Sequence, residues 1–138
     1  MKLSGVSEKI FVALDTTDLK FAIRIGENLA GLVGGFKIGK EFFTALGPTG
    51  VSAVAEIGMP IFLDLKFHDI PATVTGAVRA ALSLNPFMLN VHAFGGAEML
   101  KAAVDVLKNE PIRPILLAVT VLTSLGDEDL NTIGVSSS

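Results

Sequence analysis

The sequence contains no cysteine among its 138 residues, and it has neither a long hydrophobic run nor a cluster of basic residues. Without cysteine the chain can form no disulfide framework and no thiolate metal site, which fits a reducing compartment. The longest apolar stretch, residues 115–122, is shorter than the roughly 18 to 20 residues that a membrane span requires. The start at residues 2–9 also lacks the apolar segment of a signal peptide. We therefore expect a soluble, cytoplasmic protein with no membrane partner.

The charge balance is mildly acidic, with a formal net charge of -3 at pH 7. This balance and the absence of a basic run argue against a nucleic-acid partner. A small anionic ligand remains compatible with the sequence, because a local cationic pocket does not require a basic protein.

Half of the residues are hydrophobic, which is enough for one domain with a substantial core. Short apolar segments alternate with helical patterns and begin roughly every 25 to 28 residues, which predicts repeated βα units on a parallel sheet. The predicted strands comprise residues 10–15, 35–39, 61–66, 87–92 and 115–121.

Helical signals lie between these strands. Asp18 is a suitable N-cap for the first helix, which we expect to end at residues 34–35, a glycine pair. The second helix begins near Lys40 and is interrupted by Gly-Pro at residues 47–48, and Pro71 suits the start of the third. The residues expected to face inward in the first and fourth helices are Ala22, Ile25, Leu29, Leu32, Leu100, Val104 and Leu107.

Polar side chains fall at or near the carboxyl ends of all five predicted strands, whereas the strand starts are apolar. In parallel α/β folds ligands bind at this end of the sheet, so agreement across five strands favours a binding site. These residues are Asp15, Lys37, Asp64, Lys66, Asn90, His92 and Thr120.

The densest group of charges is Asp64, Lys66 and Asp69, at the end of the third strand. Alternation along a strand places Asp64 and Lys66 on the same face. An isolated pair of this kind is commonly a structural ion pair. With Lys37 added, charges of alternating sign let each lysine sit between carboxylates, which holds both ammonium groups protonated and oriented. Such a cluster can stabilise a carbanion and deliver a proton.

Two other motifs have weaker support. Residues 34–40 spell most of a phosphate loop, G-x-x-x-x-G-K, but Glu41 stands where Ser or Thr should follow, and the apolar residues within the segment indicate a strand. The segment 121–124 is either an ordinary loop or a source of hydrogen-bond donors for a ring carbonyl.

A metal site is a further alternative. Oxygen and imidazole ligands would suit Mg²⁺ or Zn²⁺, although no paired-ligand spacing singles out a set. The side chains that could converge are Asp64, His68, Asp69 and His92.

Length alone favours a doubly wound, flavodoxin-like sheet. Five βα units fit into 138 residues, whereas a (β/α)8 barrel typically needs about 250. The strand and helix pattern itself is compatible with either architecture.

Residues 64–71, Asp-Leu-Lys-Phe-His-Asp-Ile-Pro, resemble the D-x-K-x-x-D-I-P signature of the orotidine 5′-phosphate decarboxylase family. The D-x-K-x-x-D part is shared with other decarboxylases and aldolases of the suprafamily, and the Ile-Pro continuation separates them. Further similarity extends over essentially the whole chain, at residues 12–15, 36–39, 43–48, 90–93, 95–96 and 119–124.

The resemblance implies an α/β fold of the (β/α)8 TIM barrel type, in place of the doubly wound sheet. Residues 1–138 would form a single partial barrel domain with the first five βα units. The family's phosphate grip follows strands seven and eight and includes a Pro-Gly-Ile-Arg stretch and a late arginine, none of which is in this sequence. We therefore expect a fragment of a longer enzyme that is inactive by itself.

The resemblance also implies roles for the charged residues in decarboxylating orotidine 5′-phosphate to UMP, a step of pyrimidine biosynthesis. Lys66 would give a proton to C6, and Asp64 would lie beside the substrate carboxylate. Lys37 would hold Asp64 and reach the ribose, Asp15 would accept a ribose hydroxyl, and Thr123 would face the pyrimidine.

Family members are homodimers, so the resemblance implies that Asp69 and Thr73 serve the partner's site. It also implies that no cofactor and no metal is used. Two alternatives stay open. One is a metal-dependent decarboxylase of the 3-keto-L-gulonate 6-phosphate type, and the other is a noncatalytic half-barrel.

Overall fold

The computed structural model describes residues 5–135, so the two ends of the expected 1–138 domain, including Lys2, lie outside it. Five strands alternate with five helices. The strands are β1 (Phe11–Ala13), β2 (Gly35–Ile38), β3 (Ile61–Phe67), β4 (Met88–His92) and β5 (Ile115–Val119). The helices are α1 (Leu19–Leu29), α2 (Lys40–Ala55), α3 (Pro71–Leu82), α4 (Gly96–Leu107) and α5 (Asp127–Thr132).

All the strands are parallel, and they lie side by side in the order in which they occur in the sequence, β1-β2-β3-β4-β5. In a doubly wound sheet the order of the strands reverses after the first units, which places the first strand in the interior of the sheet. The flavodoxin-like architecture favoured by length is therefore wrong, and the partial barrel is confirmed. Chain length was misleading because the βα units of both folds have a similar size, so five units of a barrel occupy the same length as a complete doubly wound sheet.

One face of the sheet packs against the helices and forms the core. The strands are apolar at alternate positions because those side chains meet α1 to α4, and the intervening positions are free to carry polar groups. The fully buried side chains include Phe36, Ile38, Leu63 and Leu89 from the strands and Phe42, Val51, Val54, Val74, Val78 and Met99 from the helices.

Helix α1 begins as predicted, because the Asp18 carboxylate accepts a hydrogen bond from the Phe21 backbone N–H at 3.0 Å. The prediction that this helix ends at Gly34 and Gly35 is wrong, since it ends at Leu29. A Cβ atom at Gly34 or Gly35 would overlap a backbone carbonyl oxygen of an adjacent segment. The two glycines therefore permit β2 to approach its neighbours.

The kink in α2 is confirmed at Gly47, where φ is 59° and Pro48 follows. In contrast, two residues predicted to face inward do not. Leu32 follows the end of α1 and is 56% exposed, and Val104 is 47% exposed because α4 buries Met99 and Ala103 instead. The short α5 was not predicted from the sequence.

Strands β1 and β5 form the two edges of the described sheet. The apolar Ile115 and Leu117 of β5 are partly exposed, at 47% and 38%. Among residues 5–135 no helix has the length and apolarity that crossing a membrane requires.

Candidate functional site

The carboxyl ends of β1, β2 and β3 bring four charged side chains into one line. Lys37 Nζ lies 3.3 Å from Asp15 Oδ1 and 3.5 Å from Asp64 Oδ2. Lys66 Nζ lies 2.5 Å from Asp64 Oδ1. The charges therefore alternate along the line Asp15, Lys37, Asp64 and Lys66. This is the arrangement expected for Lys37 and for the Asp64–Lys66 pair.

The burial of these groups decreases from Asp64 outwards. The Asp64 side chain is 14% exposed, those of Lys37 and Lys66 are 23% and 27% exposed, and that of Asp15 is 53% exposed. Partial exclusion of water strengthens the interactions of the central carboxylate, because its charges are less screened than at an open surface. Asp64 is thus the centre of the cluster, and Asp15 is at its solvent edge.

Asn90 on β4 completes the surroundings of Asp64. Its side-chain N–H donates to Asp64 Oδ1 at 2.7 Å, and its side-chain oxygen accepts from the Lys66 backbone N–H at 2.7 Å. Sequence reasoning placed Asn90 at a strand end but gave it no role. The only signal was a polar side chain inside an otherwise buried strand.

The pKa of Asp64 lies below its ordinary value. Partial burial acts to raise it, but hydrogen bonds from Lys66 and Asn90 and the positive charges of Lys66 and Lys37 together outweigh that effect. Asp64 is therefore a carboxylate at neutral pH and attracts both ammonium groups.

The end of β3 departs from regular strand geometry. Leu63 pairs with Leu89 and Phe67 pairs with Val91, so β3 has more residues than β4 between the same two pairings. Within this bulge Lys66 adopts φ of 51°, a left-handed conformation that costs an L-residue about 1–2 kcal/mol. Simple alternation predicted the Asp64–Lys66 pair but not this bulge.

The expected placement of Lys66 between two carboxylates is wrong for Asp69. Asp69 is exposed, and its carboxylate accepts from the Ile70 backbone N–H at 2.7 Å. The physical reason is that β3 ends at Phe67 and the chain then turns into α3. Within the described residues the Lys66 ammonium is therefore paired with Asp64 and not with Asp69.

The two threonines assigned by resemblance differ in their relation to the charged line. Thr73 is exposed in the first turn of α3 and, with Lys66 and Asp69, lines a cleft of about 240 Å³. Thr123 is exposed in the segment that follows β5. Within residues 5–135 no hydrogen bond links Thr123 to the charged line.

Two histidines lie beside the cluster. The rings of His68 and His92 are stacked, with centroids 5.1 Å apart. Burial and the nearby charges of His68, Lys40 and Lys66 lower the pKa of His92. In the described part of the chain no three or more His, Asp or Glu side chains are grouped to hold a metal ion. The hypothesised set of Asp64, His68, Asp69 and His92 is therefore not assembled.

Chemically, the line places one carboxylate between two ammonium groups at the open end of a parallel sheet. A substrate carboxylate brought beside Asp64 would meet a like charge, whereas negative charge developing near Lys66 would be stabilised by its ammonium group. Lys66 also carries protons that it can donate. No cysteine is present to act as a thiol nucleophile.

Comparison with known proteins identifies relatives over most of the chain. The model of the Orotidine 5'-phosphate decarboxylase / HUMPS family matches residues 8–136. An orotidine 5'-phosphate decarboxylase from Idiomarina loihiensis is 50% identical over 129 residues, which cover 94% of this chain and 56% of that protein. One from Paramagnetospirillum magneticum is 47% identical over 130 residues, covering 91% and 55%.

The fold has solved counterparts. The crystal structure of orotidine 5'-phosphate decarboxylase from Lactobacillus acidophilus is similar with a TM-score of 0.74 and 35% sequence identity, over 90% of this chain and 58% of that one. The chain therefore spans little more than half the length of the relatives that it matches.

Proposed function

The chain belongs to the orotidine 5'-phosphate decarboxylase / HUMPS family, and we propose that it forms the N-terminal part of an enzyme that converts orotidine 5′-phosphate to UMP and CO₂. This reaction belongs to pyrimidine biosynthesis, and we place the enzyme in the cytoplasm. The observation that carries the proposal is the line of alternating charges from Asp15 to Lys66, with Asp64 held at its centre.

In the proposed reaction the substrate carboxylate enters beside Asp64, close to Lys66. The bond between C6 and the carboxylate breaks, CO₂ leaves and the electron pair remains on C6. The Lys66 ammonium stabilises this negative charge and then transfers a proton to C6, after which its amine regains a proton from solvent. The geometry supports this role, because Asp64 fixes the position of the Lys66 ammonium in advance.

Substrate binding is assigned to the neighbouring strand ends. Lys37 and Asp15 would hold the ribose hydroxyls, since they are already paired and Asp15 lies at the solvent edge of the cluster. Thr123 would contact the pyrimidine. The phosphate would be held by residues beyond this chain, in the part that the relatives contain in addition.

A second subunit is proposed to complete each site. Asp69 and Thr73 would reach the active site of the partner in a homodimer. Their exposure and the absence of an ion pair between Asp69 and Lys66 within the described residues support an outward-facing role.

The proposed chemistry uses no metal and no organic cofactor, because Lys66 and Asp64 supply the charge and the proton. The competing assignment is a metal-dependent decarboxylase of the 3-keto-L-gulonate 6-phosphate type. Activity on orotidine 5′-phosphate that survives EDTA would support our proposal. Loss of activity in EDTA and its recovery with Mg²⁺ would favour the competing assignment.

The main experiment uses the full-length protein, by which we mean this chain with the C-terminal part obtained by reading the gene beyond Ser138. We expect that part to contain Pro-Gly-Ile-Arg and a later arginine. The full-length protein should release CO₂ from orotidine 5′-phosphate, whereas the 138-residue chain should not. Activity of the 138-residue chain alone would show that the proposed division of the site is wrong.

Lys66→Ala should lower kcat of the full-length protein by at least about 100-fold, because it removes the proton donor. Lys20→Ala is the matched control, since Lys20 is exposed on α1 and takes no part in the ion pairs found for the cluster in the described residues. Near-normal turnover in Lys66→Ala would contradict the assignment.

A further inference from the structure

Asn90 is the one polar or charged residue in the core of the described chain, with 2% of its surface exposed. A buried amide is costly unless its donor and acceptor are both satisfied. Both are satisfied here by the two residues of the Asp64–Lys66 pair. The side-chain N–H donates to Asp64 Oδ1, and the side-chain oxygen accepts from the Lys66 backbone N–H, each at 2.7 Å.

The position of Asn90 in the sheet explains why this residue reaches both partners. Leu63 pairs with Leu89 and Phe67 with Val91, so Asn90 alone stands opposite the bulged residues 64–66. The bulge removes Lys66 from the regular ladder of backbone hydrogen bonds. The Asn90 side chain takes the place of a backbone acceptor for the Lys66 N–H.

The same contact fixes an unusual backbone conformation. Lys66 has a φ of 51°, which L-residues other than Asn and Asp seldom adopt. Such conformations persist where surrounding contacts determine them. Here the hydrogen bond from the Lys66 N–H to Asn90 is the contact that opposes relaxation of the bulge.

We propose that Asn90 is a positioning residue that presets the Asp64 carboxylate and the Lys66 ammonium for reaction. This inference rests on the function proposed above. Asn90 holds Asp64 through its N–H and Lys66 through its oxygen, so one planar amide sets the geometry of the pair. A leucine of similar size supplies neither group, and an ionised aspartate supplies acceptors only.

The first test compares kinetics of the full-length protein. Asn90→Leu removes both hydrogen bonds at similar volume and should lower kcat by about 10- to 100-fold, with a smaller effect on KM, because Asn90 lies beneath the pair rather than against substrate. Val91→Ala is the matched control, since Val91 is a buried neighbour on the same strand. It should reduce stability but leave kcat of the folded protein unchanged.

A second variant guards against a failure of Asn90→Leu to fold. Asn90→Asp keeps the acceptor for the Lys66 N–H but places a second carboxyl group against Asp64. The two groups should share a proton, so kcat of this variant should recover toward acidic pH relative to the parent protein. A variant with only a structural defect would not show this shift in the pH profile.

The decisive measurement does not depend on turnover. Carbon-13 NMR titration of aspartate carboxyl groups, with Asp64 assigned from Asp64→Asn, should show a higher pKa for Asp64 in Asn90→Leu than in the parent protein or in Val91→Ala. An unchanged Asp64 pKa together with unchanged kcat in both Asn90 variants would overturn the proposal. An inactive parent protein would contradict the proposed function, and the Asp64 titration would then decide the positioning role.

Discussion

Lys66 Nζ lies 2.5 Å from Asp64 Oδ1, so the ammonium and the carboxylate form a direct hydrogen-bonded ion pair. The other oxygen of Asp64 faces Lys37 at 3.5 Å. Both oxygens of one carboxylate are therefore engaged by cations that come from different strands. Asp64 fixes the spacing of the two ammonium groups. A substitution at Asp64 should therefore alter the positions of both the Lys37 and the Lys66 side chains.

The first prediction concerns stability and pH. Because the folded-state pKa of Asp64 is lowered from 3.8, its contribution to stability is fully present above 3.8 and is lost as pH falls through the lower folded value. Urea unfolding of the 138-residue chain should therefore show a fall in unfolding free energy in that acidic range. Asp64→Asn should reduce the fall.

Asp105→Asn is the matched control for this measurement. The pKa of Asp105 is also lowered, by its hydrogen bond to Lys108, but this pair is on the surface of α4. Solvent screening weakens such a pair, so its removal should change the acid dependence less than Asp64→Asn does. Equal effects of the two variants would argue against a special role of the Asp64 surroundings.

The second prediction concerns Lys37. Lys37→Met keeps most of the aliphatic side chain but removes the charge between Asp15 and Asp64. We expect kcat/KM of the full-length protein to fall by about 10- to 100-fold, through loss of hydrogen bonds to ionised groups and to substrate. Steady-state kinetics would measure this fall in kcat/KM, with Lys20→Met as the control. Similar kcat/KM values for the two variants would contradict the role assigned to Lys37.

The third prediction concerns the space beside this ion pair. A Cβ atom at Gly39 would lie 3.0 Å from Asp15 Oδ1 and 3.2 Å from Lys37 Nζ. Gly39→Ala should displace these side chains and weaken substrate binding by roughly threefold or more. Stability should change by no more than about 0.5 kcal/mol, because the φ of -91° at this position suits alanine.

Gly76→Ala provides the comparison for Gly39→Ala. Gly76 lies within α3, and a Cβ atom there would meet nothing within 4 Å. This variant should be more stable by about 0.5–1 kcal/mol and bind substrate normally. Thermal unfolding and KM, measured for both variants, separate the effect on stability from the effect on substrate binding. Unchanged binding in Gly39→Ala would show that the Asp15–Lys37 pair does not need its present position.

The fourth prediction concerns the proposed sharing of sites between subunits. Asp69→Ala and Lys66→Ala should each be inactive as homodimers. After mixing and subunit exchange, each hybrid dimer would have one intact site, which restores roughly a quarter of the parent activity. Asp15→Ala mixed with Lys66→Ala is the control, because both residues would serve the same subunit's site. Recovery in the control alone, or in neither mixture, would contradict the sharing.

The sequence predicted those features that repeat or that follow from strand geometry. The five strands and the charges at their ends were visible because parallel βα units have a regular spacing and bury apolar residues. The placement of Lys37 beside Asp64 followed from adjacent strand ends. These features need only local patterns and one general rule about where strand ends meet.

The remaining features depend on contacts between distant segments. The bulge at Lys66 arises from how β3 pairs with β4, and a single sequence contains no signal for that register. The glycine pair 34–35 resembled the end of a helix. The structure shows instead that backbone carbonyl groups of adjacent segments lie too close to this pair for a Cβ atom. Asn90 was seen as polar, but its partners are 24 and 26 positions away and could not be named.

The sequential order of the strands has a consequence for biosynthesis. Within the described sheet each strand from β2 to β5 pairs with the one that precedes it in the chain, so these pairings can form in the order of synthesis. Asp15, Lys37, Asp64 and Asn90 come from the first four βα units in turn. The ion pairs and hydrogen bonds around Asp64 therefore need only β1 to β4, and they can form before the strands that follow have joined the sheet.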